Sequence, residues 1–409
     1  MDHITVVGGG FAGLTAAISA AESSGSGRSG RSGGPGASVV RVTVLEAHRT
    51  PGGRGRASEG PYRAHEGPHV FYRHGPHWAW LRRRGLLGPI ARLPVREGAR
   101  LRFHRGGALR RTPPPGLVRA SRGRAEEAPV DIDFHTWAAE RHGPEAAVTA
   151  ARYAAVALFH HDPGSLSAAF VQERLRRAAA LPPEARNPVG GWSRVVDRMR
   201  ARARDLGVRV ETGCRVHALP EHGPVIVATS LGAARRLLGD EGLRWESGRT
   251  ALLDLALTTR GGDPFAVSDL DAPGWLERFT AADPSLAPAG EQLLQGQFPV
   301  GPGESGAVGV ARAEGLLDLG FPGWRERARW RRQSLADGRT GAVDPPGTTW
   351  RDRPRIDRGD GVFLVGDQVA APGVLSEVSF NSAVEAATLA LRRIDAVRLR
   401  AARRPYGTA

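Results

Sequence analysis

The chain opens on Ile4 to Val7, a short, largely apolar run that leads directly into Gly8, Gly10 and Gly13 and then into a stretch with helical periodicity. A continuous apolar run of this kind suits a strand buried on both faces of a parallel sheet. Leu14, Ala17, Ile18 and Ala21 then recur at i, i+3, i+4 and i+7, which sets one apolar stripe of a helix against that sheet. Between strand and helix, the G-x-G-x-x-G spacing has a physical role at each glycine. The first permits a tight turn, the second lets main chain approach a pyrophosphate, and the third lets helix and strand pack closely, with the helix N-terminus facing the phosphates. Val39 to Leu45 reads as the second strand, and Glu46 at its end is placed to accept hydrogen bonds from adenosine ribose hydroxyls. Its separation from Gly13 exceeds the usual ~20 residues. The excess is the segment 23–38, almost entirely Gly, Ser, Arg and Pro, which cannot bury enough apolar surface to offset its ordering entropy and reads as a flexible surface insert.

Further along, Trp192 to Leu206 predicts a helix, while Val208 to Glu211, Val225 to Ala228 and Phe363 to Val365 predict strands, and a last helix is expected from Ser376 to about Val397. At 409 residues the chain exceeds one typical domain. The expected architecture is α/β: a Rossmann-type cofactor domain assembled from three segments, 1–75, 185–240 and 355–409, with a second α+β substrate domain from 76–184 and 241–354. No apolar run approaches the roughly 20 residues needed to cross a bilayer, although peripheral membrane contact is left open. The first strand begins close to Met1, an opening without a secretory leader, and Cys214 is the only cysteine, so a reducing, cytoplasmic setting is expected with neither disulfide nor multi-cysteine metal site. The formal charge is +15, and all 57 basic residues are arginine. They are scattered among acids instead of gathered into an arm, so no nucleic-acid partner is expected.

Pro51-Gly52-Gly53-Arg54 follows Glu46 closely: two glycines admit a ligand near main chain, and Arg54 offers a planar fork of donors to diphosphate oxygens. Val44-Leu45-Glu46-Ala47 together with this Gly-Gly-Arg continuation resembles the FAD-binding opening of the flavin amine oxidase and phytoene desaturase superfamily. Four later segments resemble it in the same order: Glu66 to Tyr72, Pro188 to Val216, Val225 to Thr229, and Gly361 to Ala387. Ser165 to Val171 is similar to the desaturase-like members. The resemblance implies non-covalent FAD, held at its adenylate half by Gly8, Gly10, Ala12, Gly13, Glu46, Ala47, Gly53 and Arg54, with Val216 against the adenine. It places Gly67, Pro68 and His69 beside the flavin ring, and Gly366, Asp367, Gly373 and Val374 at the flavin end. There Asp367 would accept from a ribityl hydroxyl, and the following helix would aim amides and its positive dipole end at the pyrimidine edge.

No catalytic side chain is identified; His69 is a candidate base, though a positioning role is the simpler one. No metal site is expected, since neighbouring histidines such as His160 and His161 on a helix would point about 100° apart. Cys214, on the adenine side, would be distant from the ring. Tryptophans including Trp78, Trp80, Trp137, Trp275, Trp324 and Trp330 could line an apolar pocket or simply pack in the core. The expected activity is dehydrogenation of an apolar or polyene-like small molecule, with hydride passing to flavin N5. The alternatives are an amine or amino-acid oxidase, a flavin-dependent isomerase and a non-catalytic flavin-fold partner subunit; the oligomeric state is left open. Amine oxidases of the superfamily generally place a lysine near flavin N5, and this chain has none. Asn381-Ser382-Ala383 stands where relatives often carry Ser-Gly, and the chain is shorter than phytoene desaturases proper.

Overall fold

The computed structural model describes residues 2–25, 40–66, 70–122 and 127–402. Most of the 23–38 insert therefore lies outside the described residues, as do Gly67, Pro68 and His69. The chain divides into two compact units, the first made of Met1–Arg56, Val195–Arg244 and Arg351–Ala409, the second of Ala57–Arg194 and Trp245–Trp350.

The first unit is built on a five-stranded sheet in which every neighbouring pair is parallel. Its order is Val362–Leu364, Val225–Val227, His3–Val7, Arg41–Glu46, Arg209–Thr212. His3–Val7 lies at the centre, with Ile4 opposite Val42 on one side and Thr5 opposite Val225 on the other. Ile4, Val6, Val44, Ile226 and Val227 are completely buried, as a strand covered on both faces requires. Because the chain moves outward from the central strand in one direction and returns on its other side, the strand order reverses beside His3–Val7. A crevice opens there at the carboxyl ends of the strands, the position where doubly wound sheets take their ligands. The helix Phe11–Ser23 follows directly, and the helix Ser376–Ala402, five residues longer than the periodicity predicts, packs against it through small residues such as Ala383, Ala386 and Ala390.

The second unit has a seven-stranded sheet ordered Ala328–Ala342, Ser247–Thr258, Glu291–Pro299, Gly274–Arg278, Ala266–Asp269, Leu101–Arg105, Ala108–Arg110. All its pairings are antiparallel except that of Ala266–Asp269 with Leu101–Arg105. Alternation along the strands gives the sheet two different faces. Leu253, Leu255, Leu257, Leu276, Leu294 and Phe298 point one way and pack on Ala313, Leu316 and Leu317 of the helix Gly306–Gly320. A second core joins Phe134, Trp137, Ala150, Ala154, Leu166 and Val171 from the helical segments between Pro115 and Ala178. Of the tryptophans, Trp78, Trp80, Trp137 and Trp324 are core residues, while Trp330 stacks on Tyr62 at 5.4 Å between centroids. His160 and His161 follow the helix Pro144–Leu158 instead of lying on it, correcting the geometry expected for them. His160 Nδ1 is engaged within its own turn by Asp162, and among the described residues no cluster of metal-ligating side chains forms.

The closest backbone approach in the first unit lies between turn and helix: a Cβ built on Gly13 would sit 1.9 Å from the carbonyl oxygen of Gly8. Relief requires helix and strand to move apart. Gly13→Ala is therefore expected to lower stability by about 1–3 kcal/mol in spite of alanine's better helix propensity. Thermal denaturation followed by circular dichroism checks this; an unchanged midpoint would mean that the packing relaxes freely.

Candidate functional site

Of the sequence-predicted cofactor residues, the described ones of the first unit collect at the carboxyl ends of its strands. Gly8, at a φ of +109°, turns the chain where an L side chain would be strained and where a Cβ would come 2.4 Å from the carbonyl oxygen of Ala228. Its amide donates to the Leu45 carbonyl at 2.8 Å, which ties the glycine turn to the second strand. Gly52 N–H donates to the Gly9 carbonyl, also at 2.8 Å, so the second glycine turn lies directly on the first. A Cβ on Gly53 would be 3.4 Å from the Gly10 Cα. Both glycines remain half-exposed. The helix after Gly10 has no side-chain cap and no acidic residue in its first turn, so nothing within the helix neutralises the positive field of its N-terminus.

Glu46 is buried at the end of its strand. Its Oε2 accepts the Gly9 amide at 2.7 Å, and its Oε1 accepts the His48 amide at 2.8 Å and lies 2.7 Å from the His48 ring. Burial alone would raise its pKa, but the His48 and Gly9 hydrogen bonds outweigh that and hold the carboxyl below its ordinary value. Glu46 therefore braces the glycine turn as well as standing where a ribose would be met. Ala47 and Val216 are half-buried nearby, the latter just beyond Cys214, whose amide donates to the Glu46 carbonyl at 2.9 Å.

The motifs farthest apart in sequence meet here. The Arg54 guanidinium and the Asp367 carboxylate form an ion pair at 2.6 Å, both only partly exposed. Arg54 was expected to reach diphosphate and Asp367 a ribityl hydroxyl; the fold sets each to orient the other. Gly366 is fixed from the last helix, its amide donating to Ser382 Oγ at 3.2 Å. Ser382, fully buried, is the residue that stands in the departure from the Ser-Gly pattern. At the start of that helix the Glu377 carboxylate, also buried, accepts the Val374 amide at 3.0 Å and packs so tightly under Gly373 that a Cβ there would lie 2.6 Å from its own Cβ. Sequence reasoning missed Glu377 and Ser382. An acidic residue in the first turn of a predicted helix was the available signal for the first; the second had none.

This arrangement suits a dinucleotide. Glycine-lined main chain and an uncapped helix N-terminus suit a diphosphate, Glu46 suits ribose hydroxyls, and Gly366 and Asp367 follow the edge strand Val362–Leu364 at the same carboxyl ends. A family model for an NAD(P)-binding Rossmann-like domain matches residues 6–84. No curated protein matches the chain in sequence. Among solved structures, an oxidoreductase from Methanosarcina mazei superposes with a TM-score of 0.68 at 18% identity, over 94% of this chain and 99% of that one. Cyclohexylamine oxidase from Brevibacterium oxydans does so with 0.66 at 16% identity, over 96% and 99%. A reduced UDP-galactopyranose mutase gives 0.65 at 14%, over 96% and 94%. The likeness is one of fold across nearly the whole chain. No helix among the described residues is long and apolar enough to cross a membrane.

Because the folded pKa of Glu46 lies below its ordinary value of 4.5, its stabilising contribution is complete above that pH and is lost as the pH falls through the lowered folded value. Glu46→Gln is expected to be less stable than the parent at neutral pH and to lose less stability on acidification below pH 4.5. Denaturant melts at several pH values measure this; parallel stability curves for the two proteins would contradict it.

Proposed function

We propose that this chain is an FAD-dependent oxidoreductase that removes a hydride from a small organic substrate. The observation that carries this reading is the meeting of the two glycine turns with the Arg54–Asp367 pair: three segments far apart in sequence supply one extended groove wall. In this reading 1–75, 185–240 and 355–409 are the FAD-binding domain and 76–184 with 241–354 the substrate domain. FAD bound there supplies the hydride acceptor. The chain's own residues bind and orient: the Gly8–Gly13 turn and helix N-terminus hold the diphosphate, Glu46 the ribose, and Asp367, aimed by Arg54, the ribityl chain. Gly373 and Val374 bring main chain to the flavin end. Ala12, Ala47, Gly53 and Val216 complete the adenylate end.

For the substrate, the sequence motifs favour dehydrogenation of an apolar or polyene-like molecule. The fold likeness to cyclohexylamine oxidase supports oxidation of a carbon–nitrogen bond as a second reading, and that to the reduced mutase supports a redox-neutral isomerisation. The lone Cys214 goes with a reducing, cytoplasmic setting. Purified protein is expected to carry or take up FAD, with a perturbed visible flavin spectrum, and Asp367→Ala to weaken FAD affinity roughly ten- to a hundredfold. Anaerobic bleaching of the bound flavin by a polyene, by an amine or by neither separates the three readings. Failure of the protein to bind FAD at all would end the proposal.

A further inference from the structure

The face of the second unit's sheet opposite the leucine layer is polar, and register places its side chains in rows. Arg332, Asp254, Gln295 and Glu277 lie directly opposite one another on four adjacent strands, so they share that face. Three of the four are satisfied in sequence. Arg332 pairs with Asp254 Oδ2 at 2.7 Å and also donates to the carbonyls of Ala64 and His65. Asp254 Oδ1 accepts the Gln295 amide nitrogen at 2.6 Å, and that nitrogen also donates to the His65 carbonyl at 3.3 Å. Two acceptors on the nitrogen side fix the orientation of the Gln295 amide and turn its oxygen away from them. That oxygen, on a side chain only 6% exposed, has no hydrogen-bond partner.

The row then breaks. Beside Gln295 stands Glu277, another acceptor, whose single hydrogen bond is from the Trp275 indole at 2.9 Å to one of its two oxygens. Tyr153, from the helix Pro144–Leu158, meets Trp275 edge-to-face at 6.4 Å between centroids. Among the described residues no arginine forms an ion pair with Glu277. Glu277, Trp275 and Tyr153 are half-buried, yet desolvation raises Glu277 to about 7 and Tyr153 to about 12. Partial exposure of all three leaves their meeting point, a polar recess beside Gln295, open to solvent. Apart from the Tyr153 hydroxyl, which lies near enough to Glu277 to feel its charge, the recess among the described residues lacks a donor, and above all a positive one, to serve the free oxygens of Glu277 and Gln295 beside the two aromatic rings.

We propose that this recess binds the ammonium group of a small organic molecule, with Glu277 as counter-ion, Gln295 Oε1 as a second acceptor, and Trp275 and Tyr153 as aromatic walls. The inference rests on the second unit being the substrate domain and names the polar end of its substrate, whichever bond is oxidised. The ammonium group supplies the missing charge and donors at once, whereas a neutral hydroxyl offers one donor and no charge.

The test is calorimetric titration of the FAD-loaded, full-length protein with benzylammonium and with benzyl alcohol, near-isosteric probes that differ in charge. The parent protein is expected to bind the ammonium probe roughly ten- to a hundredfold more tightly. Glu277→Gln, which keeps the shape and can still accept from Trp275, is expected to abolish that preference without changing the flavin spectrum. Glu277→Asp is expected to keep part of it, and serves as the variant of record should the glutamine form fail to fold. Equal affinity for the two probes, no binding of the ammonium probe, or an unchanged preference in Glu277→Gln overturns the proposal. The first two would mean that a protonated Glu277 satisfies Gln295 internally, and the last that the selectivity arises elsewhere. Titration of the protein as purified, before adding FAD, reads the same difference, so failure of flavin binding and failure of the ammonium site are seen separately.

Discussion

The first unit depends on how closely its opening strand and first helix can approach. Only a residue without a Cβ lets the helix at Gly13 rest on the Gly8 carbonyl, and that contact sets the angle at which the helix N-terminus meets the sheet edge. The rest of the cofactor wall is referenced to it. Gly52 hangs from the Gly9 carbonyl, Glu46 takes the Gly9 amide, and the second strand holds Gly8 through Leu45. A turn fixed by this many backbone bonds presents its remaining amides without further reorganisation, which is what binding a diphosphate from main chain demands.

Charge is handled differently in the two units. In the first, half-buried ion pairs such as Arg54–Asp367 and Arg398–Asp2 join segments hundreds of residues apart. Solvent screening leaves pairs of this exposure little net stabilising energy, so their value is positional. In the second unit, Asp263 and Asp254 are nearly enclosed and each meets an arginine, Arg327 and Arg332 respectively. Burying those carboxylates without partners would cost several kcal/mol each. Glu277 meets no arginine among the described residues, and its burial raises its pKa.

The two faces of the second sheet divide the work along the same strands. Leu253, Leu255 and Leu257 enter an apolar core that holds the unit together, while Asp254 between them and Gln295, opposite it on the neighbouring strand, take the other face. A stabilising face and a chemically specific face are separated by one residue of register, so a slip of one position would exchange them.

The opening of the chain was legible because its determinants are local. An apolar run, glycines at fixed offsets and a helical stripe predict strand, turn and helix without reference to anything distant, and Glu46 follows from the next strand's end. The same holds for the Gly366–Asp367 turn and the final helix, whose extra residues have no local stop signal. What sequence could not reach were the contacts made across long separations. That Arg54 turns to Asp367, that Ser382 fixes Gly366, and that Glu277 stands beside an unpartnered Gln295 oxygen are decided by strand order and packing. Local chemistry selects which elements form; which side chains then share a neighbourhood depends on packing that no short window of sequence contains.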